Sequence, residues 1–210
     1  MKLKIGGIVF EISFPLAAVM TAVILFDSSL SVVVCFLSVI FHESGHLVML
    51  HHFGCMPESI RLTLFDIAIV DKSKSLRGFS QEIAVVMAGI AFNFLFGTAA
   101  LILLHIFSGG IWELFVNANY TLAFFNLLPA ETLDGGQALL LILCRKMEMR
   151  KAMITADIIS VVIIIPLGIL GFIVLLRSKY NFSLLLTAIY LLAVLLMKHP
   201  LLPVWKKQKK

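Results

Sequence analysis

Charge is what this chain has least of. Asp, Glu, Lys and Arg make up 14% of its 210 residues, where a soluble globular domain carries about 25%. That shortage excludes a soluble enzyme held to a membrane by one anchor. Cysteine is almost as scarce: Cys35, Cys55 and Cys144 are scattered and odd in number, and none forms a CxxC pair. A disulfide framework and a cysteine zinc site are therefore both excluded. No polar stretch is long enough to fold as a separate soluble domain, and there is no internal repeat or low-complexity segment. What fills the chain instead is apolar: 60% of the residues are hydrophobic. The composition is that of an integral membrane protein. The formal charge of +5 does not point to nucleic acid, because the basic residues sit between apolar runs and at the tail, where membrane topology uses them. Lys206, Lys207, Lys209 and Lys210 read as a juxtamembrane tail attracted to anionic lipid.

A helix needs about 20 apolar residues to cross the hydrocarbon core. Segments 30–53, 83–107, 154–176 and 182–197 meet or approach that length. Segment 112–144 is longer but is broken by Pro129 and by Gly135 and Gly136, and reads as one interrupted crossing. Segment 14–26 is the weakest; its length also suits a signal-peptide core, but no small-residue cleavage site follows it. The count is six crossings. With six, only Arg177 and Lys179 of the 17 Lys and Arg fall on one side of the membrane, and the positive-inside rule then puts both termini in the cytoplasm. Between the second and third spans, Ile60, Leu62, Leu64, Ile67 and Ile69 alternate with polar or small residues. That pattern predicts a small cytoplasmic β-hairpin or sheet with a turn near Phe65 and Asp66, to which residues 5–12 could add a strand.

Inside the apolar run 30–50 stands His42-Glu43-Ser44-Gly45-His46. Ionisable residues at membrane depth are expensive and point to function. Here three come at once, in the HExxH spacing of zinc hydrolases. One helical turn separates His42 from His46, so both imidazoles lie on one face and can share a metal. Glu43 is placed to take a proton from a metal-activated water. Catalytic zinc usually has three protein ligands and one open position, which leaves one ligand to find. His51 and His52 rotate away from the His42/His46 face. His46 lies about 11 Å from the inner end of its helix at 1.5 Å per residue, whereas His105 sits near the outer end of its own span. Asp134 fits better. It follows Pro129 and precedes Gly135 and Gly136, where a helix should break, and a broken helix at membrane depth is tolerated where it lines a cavity. The charges also balance: zinc's two positive charges meet one negative charge each from Asp134 and Glu43, the cheapest arrangement in a low dielectric.

His42-Glu43-Ser44-Gly45-His46, then Ala88-Gly89 with Asn93, then Asn126-Leu127-Leu128-Pro129 running to Leu133-Asp134-Gly135-Gly136 resemble the site-2 protease family of intramembrane zinc metalloproteases. The three motifs stand in the family's order over residues 42–136. Ile90 and Thr132 occupy positions where the family commonly has proline. The resemblance implies zinc held by His42, His46 and Asp134, Glu43 as catalytic acid/base, and Asn126 positioning substrate or stabilising the oxyanion. It implies a single protease domain over 1–210: a three-helix catalytic core within 30–145 and further helices at 14–26, 154–176 and 182–197, an all-α polytopic membrane fold. The short length, six crossings and absence of a PDZ insertion look most like the sporulation-type branch, without that branch's C-terminal nucleotide-sensing domain. Such enzymes imply a bacterial cytoplasmic membrane and a membrane-embedded or membrane-associated substrate, such as a transcription-factor precursor; a membrane regulatory protein is a further candidate partner.

Three other readings remain. A metal transporter would explain buried His and Asp but not Glu43, and it would want polar residues along several spans. A non-catalytic relative that only binds membrane partners would not need His42, Glu43, His46 and Asp134 intact. A prenyl-protein endopeptidase type would take a glutamate as third ligand, for which Glu131 is the nearest candidate.

Overall fold

The computed structural model describes residues 2–5, 8–12, 30–55, 59–62, 67–70, 77–107 and 109–198. Segment 14–26, the turn at Phe65 and Asp66, and the basic tail lie outside the described residues. The elements are β1 (Lys2–Ile5), β2 (Ile8–Ile12), α1 (Leu30–His52), β3 (Ser59–Leu62), β4 (Ile67–Val70), α2 (Phe79–Ile106), α3 (Gly110–Asn126), α4 (Asp134–Lys146), α5 (Met149–Ser178) and α6 (Ser183–Lys198). They fall into two compact units, Met1–Asn126 and Leu127–Lys210.

Among the described residues, three helices are long and apolar enough to cross a membrane: α1 with 23 residues, α2 with 28 and α5 with 30. At 1.5 Å per residue these are roughly 35, 42 and 45 Å long, against a hydrocarbon core of about 30 Å. The chain is an integral membrane protein. The fourth apolar helix, α6, is shorter. The stretch expected to be one interrupted crossing is two helices, α3 and α4, separated by residues 127–133. Two helices begin earlier than hydropathy predicts, α2 at Phe79 rather than residue 83 and α5 at Met149 rather than residue 154. The added turns carry Gln81 and Glu82 in one case and Arg150 and Lys151 in the other. Hydropathy reports which residues meet lipid, whereas the backbone ladder continues until its hydrogen bonds stop.

In the first unit, the strands form one sheet in the order β1-β2-β3-β4. The outer pairs are antiparallel, but β2 runs parallel to β3, with Phe10 opposite Ile60. A parallel pair needs a long crossover, and here the connection contains α1. Helix α1 buries Val34, Ser38, His42, Gly45, His46 and Leu50, steps of three and four that make one face. Its opposite side exposes Leu30, Val33, Phe36, Ile40 and Val48. The helix is thus apolar outward and partly polar inward, as lipid requires. Helix α2 lays a row of small residues against its neighbours: Ala88, Gly89, Asn93, Gly97 and Ala100 are all buried. A Cβ at Gly45 would stand 2.5 Å from the Ala88 carbonyl oxygen, so glycine is what lets α1 and α2 approach at this level. At the start of α2, Gln81 Oε1 accepts from the Gly78 N–H at 3.0 Å, and Arg77 donates to Glu82 at 2.7 Å.

In the second unit, the turn before α4 is drawn tight. The Ala130 N–H donates to Leu128 O and the Leu133 N–H to Ala130 O, both at 2.8 Å. A Cβ at Gly136 would meet Glu131 N at 2.6 Å, and one at Gly135 would meet Leu128 O at 2.7 Å. The Glu131 N–H donates to Ser160 Oγ on α5 at 2.9 Å, and that hydroxyl donates in turn to Ala156 O. Farther along, α5 and α6 form a hairpin in which Gly171 faces the backbone of Leu184 and Leu185. Pro166 sits inside α5, where it has no N–H to give the carbonyl one turn back.

Candidate metal centre

The HExxH segment falls in the second half of α1, and the helix turns both imidazoles inward: His42 is 5% exposed and His46 8%. Glu43, on the same turn, is half-buried. The ring nitrogens have distinct jobs. His46 Nδ1 lies 2.8 Å from the Val85 carbonyl oxygen of α2. A carbonyl only accepts, so His46 Nδ1 carries the proton. His42 Nδ1 lies 2.6 Å from Asn93 Oδ1, and the Asn93 nitrogen donates to the Ser38 carbonyl at 3.0 Å. That second bond orients the amide with its oxygen toward the imidazole, so His42 Nδ1 is also a donor. Each ring thus commits Nδ1 to an outer partner and turns Nε2 toward the other ring.

The two Nε2 atoms stand 3.3 Å apart. Both nitrogens face one region. Two nitrogens at about 2.05 Å from a tetrahedral zinc would be roughly 3.3–3.4 Å apart. The donor set and its spacing fit zinc. Gly89 makes room for the two rings: a Cβ there would strike His46 Nε2, and would lie 2.7 Å from His42 Cε1 and 2.8 Å from His42 Nε2. The Ala88-Gly89 motif is thus the wall behind the imidazole pair.

Asp134 belongs to the second unit. It is the first residue of α4 and half-buried, a position where a carboxylate also faces the positive end of a helix dipole. Glu131, the rival glutamate, is buried in the turn before it. Asn126 is the last residue of α3, and its amide nitrogen donates back to Leu122 O at 3.1 Å. His51, His52 and His105 are exposed, and His105 Nδ1 bonds to Leu101 O of its own helix at 3.0 Å. Sequence reasoning singled out Asn93 but gave no part to Asn119 or Ser38, which are buried beside it. The available signal was a second asparagine inside an apolar helix, costly enough there to need a partner.

No family model matches the chain. It is 27% identical over 141 residues to Stage IV sporulation protein FB of Bacillus subtilis (strain 168), a match covering 66% of this chain and 49% of that protein. The matched region thus spans about half the length of that relative. Among solved structures, the Site-2 Protease from Methanocaldococcus jannaschii superimposes with a TM-score of 0.65 at 24% identity, covering 100% of this chain and 99% of the other. The fold is that of a site-2 protease.

Proposed function

We propose that this chain is an intramembrane zinc metalloprotease of the site-2 type, acting on a peptide bond in or near the membrane segment of a substrate protein. The observation that carries the reading is the His42/His46 pair: two buried imidazoles with both Nδ1 atoms committed, both Nε2 atoms facing one region at zinc-ligand spacing, and Glu43 on the same turn of a membrane-length helix. Asp134 is the third ligand. Zinc, when bound, supplies Lewis acidity, bringing a water's pKa down to about 7 and polarising the scissile carbonyl. Glu43 takes the proton of the attacking water and delivers it to the leaving amine. Asn126 has one amide hydrogen on Leu122 O and a second to offer the developing oxyanion. The chain folds as one protease domain with six crossings, both termini and the sheet lie in the cytoplasm, and the basic tail meets anionic lipid. Strand β4, at the edge of the sheet, can pair with a locally unwound substrate by β-augmentation.

Likeness to a sporulation protein supports the sporulation-type branch, with a membrane-associated transcription-factor precursor as substrate and a membrane protein as regulator. The test is a comparison of membrane-protein fragments in cells carrying the wild type or Glu43→Gln. Fragments present only with the wild type are expected, with their uncut parents accumulating in the variant. Identical fragment sets from both would overturn the reading.

A further inference from the structure

A chain of polar side chains leads away from His42 through the first unit, and none of it is needed to hold the helices' backbone bonds. Asn93 and Asn119 are 0% exposed and Ser38 is 1% exposed. The Asn93 amide donates one hydrogen to Ser38 O at 3.0 Å and the other to Asn119 Oδ1 at 2.9 Å. The Asn119 amide donates one to Ser38 Oγ at 3.0 Å and the other to Phe115 O at 2.9 Å. The Ser38 hydroxyl donates to Val34 O at 3.0 Å. Every donor hydrogen on these three side chains is used.

The direction of the chain follows from its ends. Phe115 O, Ser38 O and Val34 O are backbone carbonyls and can only accept. If Asn119 turned its amide over, its oxygen would face Phe115 O and its nitrogen would face the nitrogen of Asn93. If Asn93 turned over, its oxygen would face Ser38 O and Asn119 Oδ1, and its nitrogen would point at His42. Each amide thus forbids the other's reversal. The outcome is one acceptor atom, Asn93 Oδ1, held 2.6 Å from His42 Nδ1.

We propose that Asn119, on α3, is a positioning residue for His42: with Ser38 it locks the Asn93 amide, which holds the His42 proton on Nδ1 and so makes Nε2 the nitrogen offered to the metal. The inference rests on the zinc reading above. His46 needs no such device, because a backbone carbonyl, Val85 O, does the same work for it. The alternative is that the network is interhelical glue and nothing more. Glue would affect folding but not the ring tautomer or the metal affinity of the folded molecule.

The experiment uses the full chain in detergent, with zinc affinity by chelator competition, the His42 tautomer by 15N NMR of the metal-free protein, and thermal melting as a control on folding. Removing an outer partner of a metal-binding histidine typically weakens metal by about 10–100-fold. Asn93→Leu should fall in that range, and Asn119→Leu should lose about tenfold, with both tautomers of His42 populated. Asn93→Asp, which keeps an acceptor for His42 Nδ1, should stay within about threefold of the wild type. If Asn119→Leu does not fold, Ser38→Ala deletes a single oxygen atom and reads the same tautomer, which should again become mixed. Wild-type affinity and a single His42 tautomer in a folded Asn119→Leu or Ser38→Ala protein would overturn the relay while leaving the zinc reading intact. A wild type that binds no zinc would overturn the zinc reading itself.

Discussion

Helices α1, α2 and α3 of the first unit and the α5–α6 hairpin of the second solve the same problem with different atoms. Both turn large apolar side chains outward, Phe36 and Ile40 on α1, and Ile165 and Ile169 on α5. Lipid is as apolar as leucine, so the hydrophobic effect does not decide which face goes inside. In the hairpin the decision falls to small residues: Gly171 lets the backbone of Leu184 and Leu185 come close, and Ala188 packs by Gly168. In the first unit small residues such as Gly45 are joined by polar groups that lipid rejects. Ser38, His42, Asn93 and Asn119 are buried and bonded to one another. The hairpin interior is therefore support, and the interior of the first unit is where chemistry can be held.

The largest expected break in this contrast is chemical. Glu43→Gln keeps the side chain's size and removes its basicity, so cleavage should fall by about 10²–10⁴-fold while zinc remains bound by elemental analysis; undiminished cleavage by a zinc-loaded variant would end the mechanism. Next is Gly89→Ala, which adds one carbon against both imidazoles. It should weaken zinc by at least about tenfold in a chelator competition, a loss on the scale of a disturbed outer shell, with the helical signal retained. The same one-carbon change in the other region, Gly171→Ala, meets the backbone of Leu185 and should cost about 1–3 kcal/mol of stability in denaturant titration, leaving zinc affinity per folded molecule unchanged. A loss of zinc there would show that the regions are not separable in this way. The smallest effect belongs to His105→Ala: exposed and bonded only to its own helix among the contacts described, it should leave zinc content and cleavage within error of the wild type.

Much of the site could be read in one dimension because its ligand pattern is local. His42 and His46 are one turn apart, and a helix of any provenance puts them on one face. The break ahead of Asp134 is equally local, since Pro129 and the paired glycines mark it in the sequence. Helix ends were less legible. Arg150 and Lys151 mark where lipid contact stops, not where the backbone ladder of α5 begins. The parallel pairing of β2 with β3 was not legible at all: alternation marks a strand but not its neighbour, and the partners here are separated by all of α1.

What the sequence by itself determined is the kind of molecule and the identity of its reactive groups: an integral membrane chain, apolar runs of crossing length, and imidazoles beside a carboxylate where charge is costly. Those follow from composition and from periods of three and four residues, which need no partner. What only the tertiary structure decided is the state of those groups. Which nitrogen of His42 carries its proton depends on Asn93 from α2, Asn119 from α3 and a carbonyl of α1 meeting at one point. Whether two rings can share a metal depends on a missing Cβ at Gly89 on another helix. Hydrogen-bond direction and close approach are properties of atoms brought together across long stretches of chain, and no local pattern encodes them.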